Sequence, residues 1–118
     1  MQHSTPQATE AQKWRFVLMK EIGCVPCWMR GHQNVEPEIH HLLSGGIRRG
    51  HDETVALCQW HHKAWPIANR SHKWCREHLG PSLLESSEQF HFEFGSDDDL
   101  LSLQNQFLRA ATGGRYAA

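Results

Sequence analysis

Two metal half-sites, Cys24-x-x-Cys27 and Cys58-x-x-His61, bracket thirty residues of this chain and constrain its fold more than any other feature. Two-residue spacing lets both side chains of a knuckle reach one ion, and four such ligands close a tetrahedral zinc site. Thiolates tolerate burial there because the ion's charge compensates them. The plainer alternative is a set of buried free cysteines. The fourth ligand is open to a substitute, since His72 could replace His61. His72, Cys75 and His78 also sit together further on, where core packing and helix-end hydrogen bonds account for them better than a second ion.

A staple is what this composition calls for. At 118 residues the chain has room for one domain, and only 39% of residues are apolar, so burial alone leaves the fold marginal. Disulfides are the competing staple. The opening Met1-Gln2-His3-Ser4-Thr5-Pro6 lacks the apolar segment of a secretory signal, and no apolar run approaches membrane-spanning length. Cytoplasmic residence without membrane contact is expected, and there paired cysteines interleaved with histidine favour metal over S–S bridges. Net charge is −1, but residues 11–76 carry ten Lys or Arg against five Asp or Glu, while residues 77–108 carry seven acids and no Lys or Arg. The basic part could face phosphate.

The pattern predicts a small α+β domain over residues 9–112, with flexible ends at 1–8 and 113–118. Thr9 caps a helix to Glu21, whose stripe Trp14, Val17, Leu18 and Ile22 would pack in the core, with Gly23 ending it. Gly23 to Cys27 reads as a tight turn presenting two thiols. Val35 to His41 reads as a short edge strand because Pro37 cannot donate to a ladder. Ser44-Gly45-Gly46 is a turn, and Thr54 to Leu57 returns as the second strand. A short helix from Cys58 ends near Pro66, and another spans Ser71 to Leu79. Phe90-His91-Phe92-Glu93-Phe94 alternates in period two and reads as a half-buried strand. Ser96 then caps a last helix with the acidic first turn Asp97-Asp98-Asp99, suited to the helix dipole.

Eight of the ten histidines fall between residues 32 and 78. His40 and His41 are neighbours on a strand, so they point to opposite faces. His61 and His62 are neighbours on a helix and diverge by roughly 100°. Giving His61 to zinc leaves His62 facing the hairpin beside His40. A second ion held by only two protein ligands keeps positions open for water and substrate.

Ile39-His40-His41-Leu42, Gly45-Gly46 and Leu57-Cys58-x-x-His61-His62 resemble the motif of HNH (ββα-metal) endonucleases over residues 22–66. Glu38-Ile39-His40-His41, Ser44-Gly45-Gly46, Leu57 to His62 and the later His72 look more narrowly like the recombination-enhancement, RecA-dependent nucleases of bacteriophage. The resemblance implies a zinc-stapled ββα-metal core with flanking helices, hydrolysing DNA phosphodiesters in the cytoplasm of a bacterial host, with a RecA filament as partner and a phage or prophage as source. Structural zinc would be held by Cys24, Cys27, Cys58 and His61, and catalytic magnesium or manganese by His40 and His62. His41 would be the general base, a role that a neutral imidazole with pKa near ~6.5 suits. The family's helix lies along the minor groove, so Arg48, Arg49 and Lys63 would contact phosphates. One departure stands out: the family's middle Asn, which pins the hairpin loop, has no counterpart, the nearest positions being Asp52, Glu53 and Thr54. The competing reading is a non-catalytic zinc module binding DNA or protein, which leaves the paired histidines idle. A zinc hydrolase of another kind lacks a signature such as His-Glu-x-x-His.

Overall fold

The computed structural model describes residues 6–117. Ten elements follow in order: α1 (Glu10–Ile22), α2 (Val25–Met29), β1 (Pro37–His41), β2 (Leu43–Ser44), β3 (Ile47–Arg48), β4 (Thr54–Cys58), α3 (Gln59–Lys63), α4 (His72–Leu79), α5 (Ser87–Phe94) and α6 (Asp97–Ala111). β1 and β4 pair antiparallel, from Pro37 opposite Cys58 to His41 opposite Thr54. β2 and β3 form a small ribbon at the tip, turned by Gly45 and Gly46, both with positive φ (59° and 79°). A two-residue turn of that kind follows the twist of the flanking strands.

β4 is buried along its whole length, and its alternation sorts the core. Val55 and Leu57 pack with Val25, Leu42, Phe90, Phe94 and Leu100. Ala56, on the opposite face, packs with Met19, Leu108 and Tyr116. Cys58 ends the strand among Cys24, Cys27, Trp60, Cys75 and Leu79. In an antiparallel pair alternate residues direct their backbone groups outward. Here two side chains meet that outer edge in place of a third strand. Gln104 Oε1 accepts the Ala56 N–H at 2.8 Å, and Arg15 Nη2 donates to the Thr54 carbonyl at 2.6 Å.

Several expectations need correction. Phe90 to Phe94 lies in helix α5, capped by Ser86 and ended by Gly95. Phe90 and Phe94 are buried, whereas Phe92 is 93% exposed. Phenylalanines at three alternate positions contain an i,i+4 pair as well as a period of two, and β4's outer edge is already satisfied. On α1 Thr9 caps the helix as expected, with Gln12 completing a capping box, but Trp14 and Val17 are exposed and Arg15 and Met19 turn inward. The thiol turn is a short helix with Cys24 as N-cap and Pro26 in its first turn, where proline's missing N–H costs nothing. Before it, Gly23 (φ +99°) packs against the 34–35 backbone so closely that a Cβ would lie 2.8 Å from Val35 N. That approach lets Cys24 N–H reach the Val35 carbonyl at 2.9 Å. At the C-terminal end Tyr116 is buried and hydrogen-bonded to Arg15 at 2.8 Å, so the chain is held down to this residue. Of the flexible ends expected at 1–8 and 113–118, residues 1–5 and 118 lie outside the described residues. Among the described residues no helix is long and apolar enough to cross a membrane.

Candidate functional site

Helix α2 presents Cys24 and Cys27 from one side, and the β4–α3 junction presents Cys58 and His61 from the other. All four are buried, and their ligand atoms lie within 4.8 Å of one another. His61 Nδ1 is 3.3 Å from Cys24 Sγ, 3.5 Å from Cys27 Sγ and 3.3 Å from Cys58 Sγ, and the Cys27 and Cys58 sulfurs are 3.7 Å apart. A tetrahedron with ordinary Zn–S and Zn–N bonds has S···S edges of about 3.8 Å and S···N edges of about 3.5 Å. The donor set therefore has the size that zinc requires. His61 Nε2 lies 2.6 Å from the Leu79 carbonyl. A carbonyl only accepts, so that nitrogen carries the proton and Nδ1 turns its lone pair to the sulfurs.

The thiols alone cannot share this space as three anions. Burial, with the contacts to Cys27 and Cys58, pushes Cys24 up. Against the downward pull of its Cys24 hydrogen bond, the Cys58 contact and burial move Cys27 up as well. Cys58 moves down against burial, held first by hydrogen bonds from those two thiols, with the neighbouring His61 adding to them. A divalent ion would resolve the competition by compensating all three. His72 is exposed, with its ring edge-on to Trp60 at 5.9 Å, so His61 completes the group. His78 stacks on Trp74 at 4.3 Å, and Cys75 is buried beside the cluster. These three do not converge.

The second constellation sits on the face of the same hairpin that carries Val55 and Leu57, which lie opposite His40 and Glu38 in the register. His40 of β1 and His62 of α3 bring their ring centroids to 5.1 Å, as the strand and helix directions require. Glu38, two residues before His40 on the same strand face, reaches His62 Nδ1 at 2.8 Å through Oε1 and Lys63 Nζ at 2.8 Å through Oε2. His62 Nδ1–H donates to that carboxylate, so the lone pair of a neutral His62 lies at Nε2. The Lys63 hydrogen bond, with His62 adding to it, outweighs burial and holds Glu38 below the usual carboxylate range. Burial first, then the neighbouring His62, pushes His40 down to about 4. His40 is therefore a neutral imidazole at neutral pH, the form that binds metals.

His41 faces the other way. Its Nε2 lies 2.9 Å from His51 Nδ1, and His51 Nε2 lies 2.5 Å from the Pro6 carbonyl. Burial, with the positive Arg48 and with His51, lowers the His41 imidazole. Of the expected phosphate contacts, Lys63 is paired with Glu38 and lies over the Trp65 ring at 4.3 Å. Arg49 bonds Asp98 at 2.8 Å and approaches Glu53 at 3.5 Å. Arg48 is exposed at the end of β3.

Among the positions nearest the expected hairpin Asn, Thr54 ties the loop to the strand. Its hydroxyl donates to the His51 carbonyl at 3.0 Å and accepts from Arg15 Nε at 2.9 Å. Asp52 instead accepts from Gln12 at 3.1 Å. Glu38 carried one legible signal, its place two residues from His40 on a strand. Arg15 and His51 carried none, since they reach the site from 39 and 10 residues away.

No curated protein matches this chain. The sequence model of a family described as recombination enhancement, RecA-dependent nuclease does match, over residues 8–109. That span takes in the zinc-sized cluster, both histidine pairs and the helices that frame them, and the chain belongs to this family of RecA-dependent nucleases.

Proposed function

We propose that the chain is a metal-dependent DNA endonuclease of the HNH type, cutting phosphodiester bonds where a RecA filament holds the DNA in the bacterial cytoplasm. The observation that carries the reading is the His40–His62 pair, with Glu38 fixing His62 so that its lone pair lies at Nε2. A purely structural module has no use for a carboxylate that fixes a partly exposed imidazole beside a second one. His40 and His62 would hold a magnesium or manganese ion, which when bound neutralises charge on the crowded phosphate. Cys24, Cys27, Cys58 and His61 would hold structural zinc.

The chain's own part is proton transfer and positioning. His41 takes a proton from water, and the freed O–H electron pair attacks phosphorus. The 3′-oxygen leaves with the P–O bond pair and is protonated by solvent, so the products carry 5′-phosphate and 3′-hydroxyl ends. Arg48, Arg49 and Lys63 surround the approach with positive charge, giving affinity without sequence choice. For Arg49 and Lys63 a phosphate must compete with Asp98 and Glu38, which suits a nuclease that relies on a filament to present its substrate.

The test is cleavage of duplex DNA with Mg²⁺ or Mn²⁺, with and without RecA and a matching oligonucleotide. Cutting should depend on metal and rise strongly with the filament. His41→Ala should cut roughly 10²–10⁴-fold more slowly with zinc content and melting temperature unchanged. His62→Ala should lose activity that added Mn²⁺ partly restores. A parent protein that never cuts under these conditions leaves the binding module as the reading.

A further inference from the structure

We propose that His51 is a positioning residue that decides which nitrogen of His41 takes the proton, holding His41 as the Nε2–H tautomer and leaving Nδ1 basic. The inference rests on the reading of His41 as general base and deepens it.

A chain of acceptors fixes where the protons lie. The Pro6 carbonyl oxygen cannot donate, so His51 Nε2, 2.5 Å away, must carry a hydrogen. A neutral His51 then has only a lone pair at Nδ1. That lone pair lies 2.9 Å from His41 Nε2, so the hydrogen between the two rings belongs to His41. With Nε2 occupied, the remaining lone pair of a neutral His41 is at Nδ1. When Nδ1 takes a proton, Nε2–H still points at an acceptor, which favours the imidazolium that forms.

His51 is fixed well enough to set this direction. Its backbone carbonyl accepts from Thr54, which in turn accepts from the buried Arg15. Phe16 stands edge-on to both imidazoles, at 6.3 Å from His41 and 5.6 Å from His51, and limits their swing. Thr54 lies directly opposite His41 in the strand register. One frame therefore sets the distance between the two rings.

Two substitutions separate hydrogen bonding from packing. His51→Phe keeps a ring beside Phe16 but removes both nitrogens, whereas His51→Gln offers an amide oxygen that can accept from His41 Nε2–H. Both are compared with the parent and with His41→Ala in single-turnover cleavage of filament-bound DNA with Mg²⁺. His51→Phe should slow the cutting step roughly 10–100-fold with DNA affinity unchanged, and His51→Gln should recover most of that loss. Long-range ¹⁵N–¹H spectra should find His41 protonated at Nε2 in the parent, with a slowly exchanging proton that His51→Phe loses and His51→Gln keeps. The proposal is overturned if His51→Phe cuts at the parent rate while His41→Ala does not cut. It is equally overturned if both His51 variants slow alike, or if His41 carries its proton on Nδ1. Parental cleavage by His41→Ala would instead remove the general-base reading itself.

Discussion

Replacing Arg15 with methionine tests whether a buried cation without a carboxylate partner holds this fold together. Arg15 is 1% exposed. It donates to the Thr54 hydroxyl at 2.9 Å, the Thr54 carbonyl at 2.6 Å, Asn105 at 2.8 Å and the Tyr116 hydroxyl at 2.8 Å. Methionine fills most of the alkyl volume and makes none of these bonds. The Thr54 carbonyl, on a residue with no exposure, is then stranded at about 1–3 kcal/mol, and the other three bonds contribute about 1 kcal/mol each. Against that gross loss stands the relief of no longer desolvating a guanidinium, which is worth a few kcal/mol on its own. The balance is a net loss of about 2–3 kcal/mol. For a chain of this length that corresponds to roughly 8–12 °C in melting temperature, read by calorimetry on the zinc-loaded protein. Arg15→Lys keeps the charge but not the planar fork, and it should lose at least half as much. At a temperature where Arg15→Met is fully folded, cleavage should still be slower than in the parent, because Thr54 no longer holds the His51 turn. A melting point within about 2 °C of the parent for either variant refutes the reasoning, since geometry and not charge alone is claimed to matter.

Purified protein should carry about one zinc per chain, and Cys27→Ser should lower both zinc content and melting temperature; elemental analysis finding no zinc in a folded parent sinks the structural site. His40 should titrate near pH 4 in ring-proton spectra of zinc-loaded protein without magnesium or manganese. The sign follows from linkage: the unfolded chain takes the proton first as pH falls below about 6.5, so this residue's contribution to stability is lost between there and about 4. A midpoint near 6.5 would contradict the burial that sets the shift.

What could be read from the sequence was local, and what could not was reached across the fold. The two knuckles were legible because each pair of ligands is two residues apart, and one ion can only be closed by bringing the pairs together. The opposed directions of His40 and His41 were legible because a strand alternates, and the caps at Thr9 and Ser96 because a side-chain oxygen satisfies an orphan N–H three residues on. Arg15 was not legible, because its inward direction is justified only by acceptors on β4, α6 and the C-terminal segment. A polar residue on an amphipathic helix otherwise reads as surface, and so the pattern puts Trp14 and Val17 in the core in its stead. The misread α5 has the same origin. A period-two pattern becomes a strand only if an edge with open hydrogen bonds receives it. On β4 the Thr54 carbonyl and the Ala56 N–H already belong to Arg15 and Gln104. With that edge closed, the apolar pair Phe90 and Phe94 could be buried only by a helix, where four residues make one turn and both rings face Leu42, Val55 and Leu57. The arginine that the pattern hid and the helix that it disguised are thus one event, the capping of a two-stranded sheet by side chains.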